Sequence, residues 1–239
     1  MDDSSSVSFR VAKDDLSSAV AWVARNLPTK VTQPVLRAML ITADEQGLEL
    51  TGFDYEVSTR VRIPAEVENP GRIAVAGKLI AEIVANLPNQ PVDLRLDGNK
   101  VLLTCSSSRF ELPLIPLDDY PQLPTLPEIT GTINPQLFVD AIFQGGSAAG
   151  KGDTLPMLTG VHMDIQGKTI HLTATDRFRL AMRTVEWEPE DDSIEAKLLV
   201  PAKTLQDNAR TLDTSLNTPV EIAVGTGENI GGDGLFGLH

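Results

Sequence analysis

The feature that most constrains this chain is a long internal duplication. Residues Pro34 to Ile63, PVLRAMLITADEQGLELTGFDYEVSTRVRI, lie without a gap on Pro156 to Val185, PMLTGVHMDIQGKTIHLTATDRFRLAMRTV, at an offset of 122 positions. Pro34 meets Pro156, Leu36 meets Leu158, Leu50 meets Leu172, Thr51 meets Thr173 and Asp54 meets Asp176. Each copy reads as an apolar strand, a polar turn, an alternating strand, a Thr-x-x-Asp corner and a third strand. Self-similarity on this scale sets the architecture before any local motif is weighed.

The same order extends on both sides. In the first half, Val7 to Val11 alternates as a strand. A helix then runs to about Asn26, with Leu16, Ala19, Val20 and Val23 on one apolar stripe. After the three repeat strands, Glu66 to Pro70 reads as a turn and Arg72 to Ala76 as a short strand. A helix over about Lys78 to Leu87 and three further strands, Pro91 to Leu96, Val101 to Cys105 and Arg109 to Ile115, complete the half. Pro116 to Glu128, with four prolines in thirteen residues, is neither helix nor central strand and reads as an extended, semi-rigid linker. The second half then restarts. Ile129 to Ile133 is a strand, Asn134-Pro135 is a helix N-cap followed by proline at the first helical position, and Phe138 and Ala141 fall on Leu16 and Ala19. Beyond the acidic insertion Trp187 to Asp192 the offset becomes 125, so that Val200 matches Val75 and Lys203 matches Lys78, and Pro219-Val220 matches Pro91-Val92 at 128. The expected class is α+β, built from two tandem units of strand–helix–three strands used twice. The expected domains are 1–127 and 128–239, the second with its last strand incomplete, so that the chain reads as truncated relative to the unit it repeats.

Composition excludes several function classes. Hydrophobic residues make up 41% of the 239, which is enough for a packed core. The single cysteine, Cys105, can form no internal disulfide and suggests a reducing compartment. The acidic, polar start has no basic or apolar signal region, and no apolar run approaches the roughly 20 residues a membrane helix needs. The expectation is a soluble cytoplasmic protein with no membrane partner. The net charge is −13 and both halves are acidic, which argues against an ordinary groove-binding nucleic-acid protein. No zinc-ligand spacing occurs. His162 and His171 sit on strands with no nucleophile at a meaningful spacing. Ala76-Gly77-Lys78-Leu79 lacks the remainder of a phosphate-binding loop, and Gly225 to Ile230 fails the dinucleotide fingerprint and reads as a glycine-rich hairpin. The expectation is therefore no catalytic residue, no metal and no cofactor.

LPMLTG (Leu155 to Gly160), ATDRFRLA (Ala174 to Ala181), LVPAKTL (Leu199 to Leu205) and DDYPQLP (Asp118 to Pro124), set in the duplicated plan, resemble the bacterial DNA polymerase III beta subunit family, the replicative sliding clamps. The resemblance runs in order over essentially the whole chain and covers the first and most of the second of the family's three domains. It implies antiparallel sheets outside and helices lining a ring that encircles duplex DNA irrespective of sequence, with two full-length chains forming a homodimer. It implies a processivity factor rather than an enzyme. Its partners would be the DNA polymerase III alpha subunit, the clamp loader and repair polymerases, held through short linear motifs. The family's peptide pocket carries over onto Leu158, Thr175, Arg177, Phe178, Arg179 and Leu180. In this carry-over Leu158 and Leu180 form an apolar floor, Thr175 takes polar atoms, and Arg177 and Arg179 share one strand face. Asp176 is expected to shape the corner, because Asp54 fills the same place in the first copy. Arg25, Lys30, Lys78, Lys151 and Lys203 become candidates for the DNA-facing lining. The edge strand Arg109, Phe110, Glu111 and Leu112, with the helix Lys78 to Leu87, becomes the candidate dimer joint. The alternative is a repeat-built scaffold or peptide-binding protein that never encircles DNA.

Overall fold

In the computed structural model the residues described are 7–28, 33–55, 57–118, 120–123, 127–152, 155–212, 214–215, 218–225 and 235–238. The chain divides into two compact units, Met1–Leu123 and Pro124–His239.

The first unit runs β1 (Ser8–Val11), α1 (Lys13–Asn26), a 3-10 turn (Pro34–Arg37), β2 (Ala38–Asp44), β3 (Gly47–Phe53), β4 (Ser58–Ile63), β5 (Glu66–Asn69) and β6 (Gly71–Ala76). It continues with α2 (Gly77–Ala85), β7 (Val92–Asp97), β8 (Lys100–Cys105) and β9 (Ser108–Pro113). Its strands form two antiparallel sheets, in the orders β4-β3-β2-β6 and β5-β1-β7-β8-β9. The second unit repeats this with β10 (Ile129–Ile133), α3 (Pro135–Gly145), a 3-10 turn (Pro156–Thr159), β11 (Gly160–Gln166), β12 (Thr169–Thr175) and β13 (Leu180–Glu186). After these come β14 (Glu188–Pro189), β15 (Glu195–Pro201), α4 (Ala202–Ala209), β16 (Val220–Gly225) and β17 (Leu235–Leu238). Its sheets are β13-β12-β11-β15 and β14-β10-β16-β17. Among the described residues the second unit has no counterpart of β9.

Alternation explains how each unit closes. Along β2 and β3, Met39, Ile41, Leu48 and Leu50 point to one face and are fully buried with Leu16, Val20 and Val23 of α1 and Ile80 and Val84 of α2. Their twins Val161, Met163, Ile170 and Leu172 pack with Phe138 and Ile142 of α3 and Leu205 of α4. The helices pair within each unit, α1 with α2 and α3 with α4. Asn134 caps α3 as its position suggests, its side-chain oxygen accepting from the Leu137 amide at 3.1 Å. Gly47, at φ +113°, turns β2 into β3 where a Cβ would stand 2.4 Å from the Ile63 carbonyl oxygen, so only glycine fits there.

Three expectations need correction. Glu66 to Asn69 is strand β5, not a turn, and pairs with β1 along the sheet edge. Its charged, half-exposed alternation hid it, because an edge strand carries little apolar signal. Each repeat copy opens with a 3-10 turn rather than a strand, since its proline sets the first helical φ. The proline-rich stretch is not a free spacer throughout. Ile115, Tyr120 and Leu123 pack on the face of the first unit's four-stranded sheet formed by Ala38, Leu40 and Ala74. The Ile115 amide donates to the Ala74 carbonyl at 2.8 Å.

The two cores share no residue, and each unit holds one tryptophan, Trp22 in the first and Trp187 in the second. Leu172→Ala removes a fully buried side chain and is expected to cost about 2–5 kcal/mol. In a Trp22→Phe background, urea unfolding followed by Trp187 fluorescence should shift to a lower midpoint. The Trp22 transition, read in a Trp187→Phe background, should stay in place. Equal displacement of both transitions would show that the units unfold as one body.

Candidate functional site

The corner between β12 and β13 is built by one carboxylate. Asp176 Oδ1 accepts from the backbone amides of Phe178 at 3.0 Å and Arg179 at 2.8 Å. Its Oδ2 accepts from Arg179 Nε at 3.0 Å and Nη2 at 2.8 Å, a two-pronged guanidinium contact. Thr175 closes the turn from the other side. Its hydroxyl donates to the Arg179 carbonyl at 2.7 Å and accepts from the Arg177 amide at 3.2 Å. Arg177 adopts φ +79°, a left-handed conformation uncommon for a residue with a side chain. The first copy builds the same corner with Asp54, which accepts from the Val57 amide at 2.7 Å, and Tyr55 at φ +73°. The shared Asp and left-handed residue therefore belong to the turn, as the twin positions suggest. The Arg179 contacts hold the Asp176 carboxyl well below the usual range, at about 2, with the side-chain hydrogen bond the larger cause and the backbone one next.

Around this corner the second unit presents apolar side chains to solvent. Phe178 is 88% exposed, with the Arg177 guanidinium 5.9 Å from its ring centre. Leu180 opens β13 and is exposed, as is Met157 in the 3-10 turn, whereas Leu158 is half-buried and its carbonyl accepts from Gly150. Two details differ from the expected arrangement. Residues 177–179 form the turn itself, so alternation does not place Arg177 and Arg179 on one strand face. The Thr175 hydroxyl and the Arg179 head group are already engaged inside the corner. The sequence reading also passed over Met182 and Leu199, both exposed on the same sheet. Met182 lies two residues beyond Leu180 on β13 and could have been found by period-2 alternation.

The basic candidates are dispersed. Arg25 ends α1, Lys78 begins α2, Lys151 follows α3 and Lys203 begins α4, all exposed. Lys203 is paired with Asp207, which also accepts from Arg210. Lys30 lies outside the described residues, as do residues 226–230 of the glycine-rich stretch. Strand β9 is an edge strand, with Arg109, Phe110 and Glu111 exposed and Glu111 bridged to Lys100 at 2.8 Å. Leu112 is wholly buried in the first unit's core, so its side chain is not available at that edge. Among the described residues no cluster of His, Cys, Asp and Glu could hold a metal ion, and no helix is long and apolar enough to cross a membrane.

The DNA polymerase III beta subunit N-terminal domain matches residues 7–124, and the central domain of the same protein family matches residues 132–233. This chain belongs to the DNA polymerase III beta subunit family. It is 46% identical over 231 residues to the beta sliding clamp of Streptomyces coelicolor, covering 97% of this chain and 60% of that protein. It is 47% identical to that of Micrococcus luteus, covering 85% of this chain and 66% of the relative. The sliding clamp of Bacillus subtilis superimposes with a TM-score of 0.85 at 28% identity, over 92% of this chain and 60% of that one. A Pseudomonas aeruginosa sliding clamp bound to griselimycin superimposes with a TM-score of 0.78 at 29% identity, over 91% and 59%. The chain thus spans about three-fifths of the length of these clamps.

The corner makes a direct pH prediction. The ionised Asp176 is the form that Arg179 and the two amides bind, so its contribution is present above the ordinary carboxylate pKa of roughly 4. It should fade as pH falls through about 2. Carboxyl-carbon NMR titration of Asp176 should therefore give a midpoint near 2, and Arg179→Ala should move it up toward roughly 4. An unmoved midpoint would mean that the backbone amides alone set the shift.

Proposed function

We propose that this chain supplies the first two domains of a sliding clamp, a protein that encircles duplex DNA without reading its sequence and tethers polymerases for processive synthesis. What supports this is the in-order match of both units to consecutive domains of one clamp family. The net charge of −13 fits retention by topology better than by groove binding, because a closed ring needs basic residues only on its lining. In this reading Arg25, Lys30, Lys78, Lys151 and Lys203 face the DNA. The edge of β9, through Arg109, Phe110 and Glu111 together with α2, forms the joint of a homodimeric ring. The clamp has no catalytic residue of its own. The domain boundary falls in the proline-rich stretch, between 123 and 128.

The corner of the second unit is proposed as the docking point for short linear motifs of the polymerase III alpha subunit, the clamp loader and repair polymerases. Leu158 and Leu180 would meet an apolar peptide side chain. Phe178 and Arg177, exposed on the turn, would flank it. The first copy's counterpart of Leu180 is Ser58, which gives that corner no comparable apolar contact.

Two measurements test these assignments. Residues 1–239 exchanged into the Streptomyces coelicolor beta sliding clamp should give a hybrid that its loader leaves on nicked circular DNA and that is lost on linearisation. Equal retention on both forms would overturn the clamp reading. A Gln-x-x-Leu/Phe peptide should bind the chain, and Arg179→Ala with Leu180→Ala should weaken that binding about tenfold or more. Unchanged affinity would place the motif elsewhere.

A further inference from the structure

Among the described residues, four buried side-chain polar atoms have no hydrogen-bond partner: Thr51 Oγ1, Ser58 Oγ, Arg60 Nε and the Tyr120 hydroxyl. They are not scattered. Thr51 and Arg60 are cross-strand neighbours on β3 and β4, and Ser58 lies two residues before Arg60. Alternation therefore puts all three on one face of the sheet β4-β3-β2-β6. Arg60 Nε stands 3.7 Å from Glu49 Oε1, too far for a hydrogen bond. Thr51 is also the cross-strand neighbour of Leu40, and Leu40 pairs with Ala74. Tyr120 packs on that Leu40 and Ala74 patch together with Ile115 and Leu123. All four orphaned atoms thus belong to one sheet face and the segment that docks on it. A folded domain satisfies nearly all such groups, so their concentration marks a layer held by apolar contact and opposed by unmet polar groups.

We propose that residues 115–123 form a releasable strap, which leaves the first unit's sheet in a local opening while both cores stay folded, and which thereby sets how tightly the two units are tethered. The attachment is thin. Among the described residues one backbone hydrogen bond joins the strap to the sheet, from the Ile115 amide to the Ala74 carbonyl at 2.8 Å. Ile115, Tyr120 and Leu123 are each only partly buried. Release returns the Tyr120 phenol to water, together with the Thr51 hydroxyl, and this offsets part of the apolar contact that is lost. Burial without a hydrogen bond is also what pushes the Tyr120 pKa up to about 12. Pro116 and Pro121 keep the freed segment extended, so it docks again without a large ordering cost. The division between the two units falls directly after the strap, at Leu123 and Pro124. Docked, the strap holds the start of the tether against the first unit. Released, its nine residues span up to about 28 Å, at roughly 3.1 Å per residue, and add that reach between the units. The strap depends only on the first unit's own sheet face and does not rest on the clamp reading.

Amide hydrogen exchange on the full chain tests the release. The Ile115 amide should exchange through an opening that is insensitive to low denaturant, whereas the amides of β2 should open only with the denaturant dependence of unfolding. Tyr120→Phe removes the orphaned hydroxyl and should slow Ile115 exchange about fivefold or more. Thr51→Val should slow it in the same direction. Tyr120→Ala removes the ring and should speed it about tenfold or more. The phenylalanine variant is the deciding one, because it keeps the packing and a merely structural tyrosine would show no gain from it. Unchanged or faster Ile115 exchange in Tyr120→Phe, or exchange of Ile115 only on unfolding, would overturn the release. For the tether, spin labels at Asn99→Cys and Glu195→Cys, both exposed, report the distance between the units. Tyr120→Ala should broaden that distance distribution and Tyr120→Phe should narrow it. A distribution that neither variant changes would overturn the strap's role in tethering.

Discussion

Everything in this chain depends on a hairpin that buries one face against two helices. In β2–β3 and again in β11–β12, every second side chain is withdrawn from water between sheet and helices. The core positions Leu50 and Leu172 are leucine in both copies. Burying each such leucine contributes about 1.5–3 kcal/mol, so the face cannot drift in register without losing the whole set. Once that register is fixed, the opposite face of the same hairpin is fixed too. The strand pairs that align Leu40 with Thr51 and Ala74 also align His162 with Thr173 and Leu199. The core determines the fold, and the outer face becomes a surface of defined spacing that can vary in chemistry.

The Asp corner extends this argument to the turn. A carboxylate that accepts backbone amides allows a left-handed residue with a side chain, Tyr55 in one copy and Arg177 in the other. Such a residue is costly in an unconstrained turn, by about 1–3 kcal/mol. With the backbone held by Asp54 or Asp176, the turn does not dictate the side chains at the neighbouring positions, although Arg179 bonds back to the Asp176 carboxylate. That is why they have diverged completely, to Tyr55-Glu56-Val57 in one copy and Arg177-Phe178-Arg179 in the other.

The duplication, the α+β class, all four helices and most strands were legible because buried faces impose period and offset on sequence. Phe138 over Leu16, or Lys203 over Lys78, needs no coordinates to see. Three things were not legible. The edge strand β5 carries alternating charge, which a solvated turn also carries. The partners of Thr175 and Arg179 were invisible because a polar side chain does not declare whether it will bond to its own turn or to a ligand. The burial of Leu112 could be suspected from alternation, but its resemblance to a joint residue drew it toward the surface. In each case sequence recorded the type of residue and left open which neighbour would satisfy it.

The proline-rich stretch shows how far that ambiguity reaches. Proline excludes helix and central strand, and from sequence alone the remainder reads as a spacer. Yet the same stiffness makes a segment a good intramolecular ligand, since its extended form is largely set before contact. Tyr120 then decides between the two roles. Its ring is large enough for burial to outweigh the loss of water by its unpartnered hydroxyl, and Ile115 and Leu123 add apolar area on either side. The docked segment in turn explains why the first unit can keep small residues, Ala38 and Ala74, on that face: larger ones would hold the segment away from the sheet. The second unit's Leu199 fills the space that Ala74 leaves free, folding over Gly160 where a Cβ would lie 2.6 Å from its Cδ1. The two faces therefore differ in depth as well as in cover.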